Sequence, residues 1–188
     1  MKKGLIVLIV VLAVVAVLAV SLVGSYNGLV AQREGVNTAF SDIDTQLQRR
    51  ADLIPNLVAT VKGYAAQEKA VIGEITDARA KLAGATTVTD KATADAELTT
   101  ALSRLLVVVE NYPDLKSSAE FTALMDELAG TENRIAVSRK DYNAVVKTYD
   151  TKVKSFPTVL FAGLFGFAPA DYFEAAAGST AVPTVSFQ

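Results

Sequence analysis

The hydrophobic pattern of the chain divides it into three stretches of different character. The first is a run from Gly4 to Gly24, "GLIVLIVVLAVVAVLAVSLVG", with no charged residue in it. As a helix it reaches about 30 Å, the thickness of the hydrocarbon core of a bilayer. It is longer than the apolar region of a cleaved signal peptide, and "SLVGS" makes a poor small-residue cleavage site. The expectation is a retained single-pass anchor over residues 1–24. Lys2 and Lys3 precede the run, while Arg33 beside Glu34, Asp42 and Asp44 follows it. By the positive-inside bias the N-terminus is expected in the cytoplasm and the rest of the chain outside it.

The second stretch, residues 25–156, is helical in period. Tyr26, Leu29, Val30, Val36, Phe40, Ile43 and Leu47 recur at steps of three or four. After Pro55 the series Leu57, Val61, Tyr64, Glu68, Val71, Ile75, Ala78 and Leu82 alternates fours and threes, as a heptad seam does. "GATTVTD" (84–90) interrupts it, with Gly84 suited to a helix end and Thr89 or Asp90 to the next N-cap. A further helix to about Tyr112 carries Leu98, Leu102, Leu105, Leu106 and Val109. Ser117-x-x-Glu120 has the form of a capping box. It opens a long helix to about Ser155, with Phe121, Leu124, Leu128, Ile135, Tyr142, Val146, Tyr149 and Val153 inside. "RRADLIP" (49–55) is the ambiguous point. Asp52 can cap a new helix with Pro55 in its first turn, where a missing N–H costs nothing. That turn gives an antiparallel four-helix bundle behind the transmembrane helix, an all-α fold. The alternative is three long helices with a kink near Pro55.

The third stretch, residues 157–188, is apolar, aromatic and dotted with glycine, with no helical period. It is expected either to lie as a strap along the bundle or to present Leu160, Phe161, Leu164, Phe165 and Phe167 as an interaction patch for a partner, another subunit or the lipid surface.

Composition narrows the chemistry. The 188 residues include no Cys and no His, which removes thiol nucleophiles, disulfides and the usual general base near neutral pH. A formal net charge of −2 gives no basic field for nucleic acid. Phosphate-binding glycine loops and metal-spaced carboxylates are missing, so no cofactor is expected. What remains is charge where the rhythm wants carbon: Arg33, Glu68, Arg79, Glu132 and Arg139. These five are expected to pair across the bundle as a buried ionic layer that fixes helix register, because an unpaired buried charge costs several kcal/mol. A polar groove for a peptide or headgroup is the second reading of the same residues, and a catalytic one the last. Arg49 and Arg50 are expected at a solvated helix end, where cations suit the dipole.

The segments "YNGLVAQREGVNTAFSDIDTQLQRRADLIPNLVATVKGYAAQE" (26–68), "VVVENYPDLKSSAEFTALMDELAGTENRIAVSRKDYNAVV" (107–146) and "SFP" (155–157) resemble the LemA family of bacterial membrane-anchored helical proteins. The resemblance implies one N-terminal membrane helix, an antiparallel helical bundle and no accepted active site. It further implies relatives at specialised membranes such as those of magnetosomes, or beside membrane proteases and stress systems. Many relatives have Trp where this chain has Phe40 and His where it has Gln67, so no histidine chemistry carries over. The expected function is a non-enzymatic scaffold or adaptor at the cell envelope, in homo-oligomers and beside a membrane protease or other envelope protein. The alternative is a bundle that binds a peptide or lipid for a membrane protease or stress system.

Overall fold

The computed structural model of the chain describes residues 2–174. These residues form an all-α fold of five helices and two short 3-10 turns: α1 (Lys2–Tyr64), α2 (Lys69–Gly84), α3 (Val88–Val109), α4 (Pro113–Lys116), α5 (Ala119–Lys154), then the turns Thr158–Leu160 and Gly163–Phe165. The end of the apolar C-terminal stretch, residues 175–188, lies outside the described residues.

The expected turn at Arg50–Asp52 is not there: α1 runs unbroken through Pro55 to Tyr64. The reason lies in the apolar row. Ile43, Leu47, Ile54, Leu57 and Val61 are all buried and keep the alternating step across the supposed break, with Arg50 in the intervening register position. Asp52 caps nothing; its Oδ1 accepts from Gln48 Nε2 one turn back at 2.8 Å. Pro55 still denies the carbonyl of Ala51 its helical N–H donor. Arg79 of α2 supplies the replacement, donating Nε–H to the Ala51 oxygen at 3.0 Å. The reversal falls instead at Ala65–Glu68, so the seam read as one helix from Leu57 to Leu82 belongs to two. There the Glu68 amide donates to the Ala65 carbonyl at 3.1 Å, and Tyr112 donates its hydroxyl to Glu68 Oε1 at 2.8 Å.

The described chain separates into two compact units. One holds residues 39–143 with 171–174. Its cross-helix contacts give the directions. Arg79 meets Ala51, so α2 folds back along α1. Lys91 pairs with Asp44 and Asp95 with Arg50, so α3 runs parallel to α1. Arg49 meets Glu127, and Phe40 lies beside Tyr142, so α5 returns antiparallel. Ile43, Leu57, Ile75, Leu98, Leu105, Leu128 and Ile135 fill the middle. The caps fall within two residues of the expected ones. Thr87, not Thr89 or Asp90, accepts the Asp90 amide at 3.1 Å. Ser118, not Ser117, accepts that of Phe121 at 3.1 Å.

The other unit holds residues up to Thr38 and Ala144–Ala170. Leu29 and Val36 of α1 are buried here, as are Val146, Tyr149 and Val153 of α5, with Ala162 and Phe167 from the segment that follows. The chain leaves α5 through a cis Phe156–Pro157 bond, and Gly166 ends the second 3-10 turn in the left-handed conformation. Tyr149 donates its hydroxyl to the Ala168 carbonyl at 3.0 Å, and Asp150 Oδ1 accepts the Ala170 amide at 2.9 Å. Before the bundle, residues 5–17 and 19–23 of α1 stand exposed, and this is a helix long and apolar enough to cross a membrane.

Candidate functional site

The interior of the larger unit contains one charged cluster. Arg50 of α1 and Asp95 of α3 are each 3% exposed. Arg50 Nη1 donates to Asp95 Oδ1 at 2.5 Å and stands 2.6 Å from Glu132 Oε2 of α5. One guanidinium thus joins carboxylates from two other helices. Its geometry is not fully satisfied: Arg50 Nε is buried without a hydrogen-bond partner, and the contact to Glu132 is ionic rather than aligned. Burial pushes the Asp95 carboxyl above its ordinary range, against the pull of Arg50, and the neighbouring Glu132 adds to the rise. Glu132 keeps 43% of its side chain in solvent and so retains part of its hydration.

Both buried members escaped the sequence reading, although a signal for them existed. Arg50 occupies the step between Leu47 and Ile54, and Asp95 the step before Leu98, Leu102 and Leu105, so each stands on an apolar seam. A solvated helix end describes neither arginine: Arg50 is buried, and Arg49, which meets Glu127 at 2.5 Å at the surface, stands in the middle of α1.

The five residues expected in one ionic layer each take a separate partner. Glu132 joins Arg50. Arg79 serves the Ala51 carbonyl, and Glu68 accepts from Tyr112. Arg139 lies 4.8 Å from the centroid of the Phe173 ring and reaches the Glu174 carbonyl. Arg33, in the other unit, lies 5.4 Å over the ring of Phe167. Of the five apolar residues expected in a patch, Leu160, Leu164 and Phe165 are exposed, Phe161 is half-buried and Phe167 is buried. Phe167 therefore belongs to the packing of the strap and not to an exposed patch.

The larger unit also has an open groove of about 910 Å³ between α2 and α3, lined in addition by Asp171, Tyr172 and Glu174. Ala78, Ala92 and Ala96 form part of its lining, and two ion pairs cross it: Lys81 with Glu97 at 2.7 Å and Arg104 with Glu74 at 2.9 Å. Asp77, Asp171 and Glu174 give the lining an excess of negative charge. The groove is not where the sequence placed a polar cleft, beside Glu68, Glu132 and Arg139. Among the described residues no group of three or more acidic side chains is placed to share a metal ion.

Comparison with known proteins places these features in context. The model of the LemA family matches residues 39–187. Magnetosome protein MamQ 2 of Paramagnetospirillum magneticum is 32% identical over 194 residues, covering 87% of this chain and 70% of that protein. Magnetosome protein MamQ of Magnetospirillum gryphiswaldense is 29% identical over 192 residues, with the same coverage of both chains. Protein LemA of Metamycoplasma hominis is 26% identical over 140 residues, covering 72% of this chain and 63% of its own length.

Proposed function

The chain belongs to the LemA family, and from that premise we propose that it is a membrane-associated envelope protein, anchored by one span and working as a non-enzymatic helical scaffold or adaptor. The observation that carries this reading is the uninterrupted α1, whose exposed apolar first part continues without a linker into the packed bundle. A bundle joined to a span is confined to the membrane plane, where its effective concentration for neighbouring copies is high. Homo-oligomers and contacts with other envelope proteins, a membrane protease among them, follow from that confinement. The N-terminus lies in the cytoplasm and the bundle outside, on the bias of Lys2 and Lys3. The buried acid fits the non-enzymatic reading. Asp95 is sealed from solvent and engaged by a guanidinium, which is poor placement for a group that must exchange a proton with a substrate.

The groove favours one second reading, a bundle that takes up a basic peptide for a membrane protease or envelope stress system. Light scattering of the full chain in detergent distinguishes the two. The scaffold gives a particle of more than one copy. A monomer that binds oligolysine, with Glu97→Lys abolishing the binding, overturns the scaffold in favour of the peptide-binding bundle. A C-terminal alkaline phosphatase fusion tests orientation: activity is expected, and an inactive but intact fusion overturns it. Turnover abolished by Asp95→Asn with folding intact overturns the non-enzymatic reading.

A further inference from the structure

We infer that the start of the C-terminal strap forms a second membrane contact, an apolar wedge that lies in the bilayer interface beside the span. The inference rests on the reading of Gly4–Gly24 as membrane-spanning. From Gly24 to Tyr26 the helix rises only about 3 Å, whereas the interfacial layer on each side of the hydrocarbon core is about 5–7 Å deep. Tyr26 therefore stands in that layer, and helical side chains lean toward the N-terminus, here toward the membrane. Against Tyr26 pack the rings of Phe165 and Phe167, with centroids 5.4 and 5.5 Å away in edge-on geometry. This contact fixes the height of the 3-10 turns relative to the span.

In the segment so placed, Phe156 is 80% exposed, Leu160 67% and Leu164 85%, and Val159 and Phe165 are exposed too. Large apolar side chains bared together in water are unfavourable by the hydrophobic effect, and the adjoining lipid offers them cover without a further partner. The charge pattern agrees. No acidic residue occurs from Thr151 to Ala170, and no charged residue of either sign occurs on α1 between Lys3 and Arg33. Lys152, exposed in the last turn of α5, stands next in sequence to the wedge and suits anionic headgroups, while Lys154 beside it is paired with Asp150 at 2.7 Å. An aromatic and aliphatic cluster flanked by lysines is what the interface accommodates.

The absence of native cysteine makes the test direct. Leu164→Cys and, as a second exposed site, Leu160→Cys are each labelled with an environment-sensitive fluorophore in the full chain. The protein is reconstituted into vesicles of phosphatidylcholine and phosphatidylglycerol, with or without a lipid bearing a nitroxide near the headgroup, for the strap sites, or deep in the acyl chain, for the span. Leu12→Cys, within the span, is labelled in parallel. The wedge predicts blue-shifted emission at both strap sites, quenched by the nitroxide lipid and shielded from aqueous iodide. Quenching by iodide alone at both strap sites, with Leu12→Cys quenched by lipid, overturns the wedge and leaves the span intact. Shielding from both quenchers assigns the surface to a second copy and likewise overturns it. A Leu12→Cys label that lipid does not quench overturns the span and the wedge together.

Discussion

Replacing Arg50 by Met removes the cation hydrogen-bonded to the buried Asp95 carboxylate while keeping an unbranched apolar stem on the seam of α1. Breaking a buried ion pair by deleting one partner costs about 3–5 kcal/mol, because the remaining charge is left in a poor solvent. The low end applies here. Glu132 has 43% of its side chain in water and regains hydration there, although its Oε2 is buried, so Asp95, at 4% side-chain exposure, is the carboxylate stranded more completely. For a chain of this size each kcal/mol moves the melting temperature by about 2–4 °C, so a loss of about 3 kcal/mol is a fall of about 6–12 °C. Thermal unfolding of the full chain in detergent micelles, followed by far-UV circular dichroism, measures it. The deficit shrinks on acidification, because without Arg50 the Asp95 carboxyl rises further and is protonated sooner. Combining Arg50→Met with Asp95→Asn removes both buried charges and recovers most of the loss. A melting temperature within a degree or so of the parent for Arg50→Met would refute the reasoning. So would a double variant as unstable as the single one, since the loss would then come from packing and not from a stranded charge.

Other consequences are accessible to the same preparation. Arg79→Ala leaves the buried Ala51 carbonyl without its donor, at a cost of about 1–3 kcal/mol; in a Pro55→Ala background the restored helical N–H takes that role, so the Arg79→Ala penalty falls there, and equal penalties in denaturant titrations of both backgrounds contradict the pairing. The raised carboxyl of Asp95 contributes stability that is full below the ordinary carboxylate range and is lost as pH climbs through the raised value. The melting temperature of Asp95→Asn minus that of the parent therefore increases with pH across that window, and a flat difference is the contrary result. Asn143 holds the Phe173 backbone at both ends, accepting its N–H at 2.9 Å and donating to its carbonyl at 3.1 Å. Asn143→Ala therefore speeds hydrogen exchange at the Phe173 amide, while unchanged protection there argues that other contacts hold the segment.

The periodic rows were legible in the sequence because burial imposes them. Leu29, Val36, Ile43 and Leu47 on α1, and Phe121, Leu128, Ile135, Tyr142, Val146, Tyr149 and Val153 on α5, all lie inside as the three-and-four spacing requires. The local signal at Pro55 points to a break because proline's missing donor counts against a helix there. Its compensation comes from Arg79, distant in sequence, and no local rule encodes that contact. The reversal at Ala65–Glu68 was hidden for a related reason. Glu68 follows Tyr64 by four residues, so the row passes through the turn without losing its step. The ionic cluster is partly legible: Glu132 shows as a charge on a seam, whereas Arg50, next to Arg49, reads as part of a solvated helix end. The tertiary partner of a charged residue decides whether it is buried, and one sequence does not carry that information. Of the strap, composition marked the exposed Leu160 and Leu164, but not that Phe167 turns inward against Tyr26.

The placement of Arg50 opposite Asp95 depends on α1 being one helix through Pro55, and a single distance measures that. Nitroxides at Asp42→Cys and Ala59→Cys, both at exposed positions, are read by pulsed electron–electron resonance in the reconstituted full chain. A continuous helix sets their backbone positions about 26 Å apart. A turn at Arg50–Asp52 would bring the two sites onto neighbouring antiparallel helices, at about 8–10 Å between axes, and a distribution centred there would contradict the account.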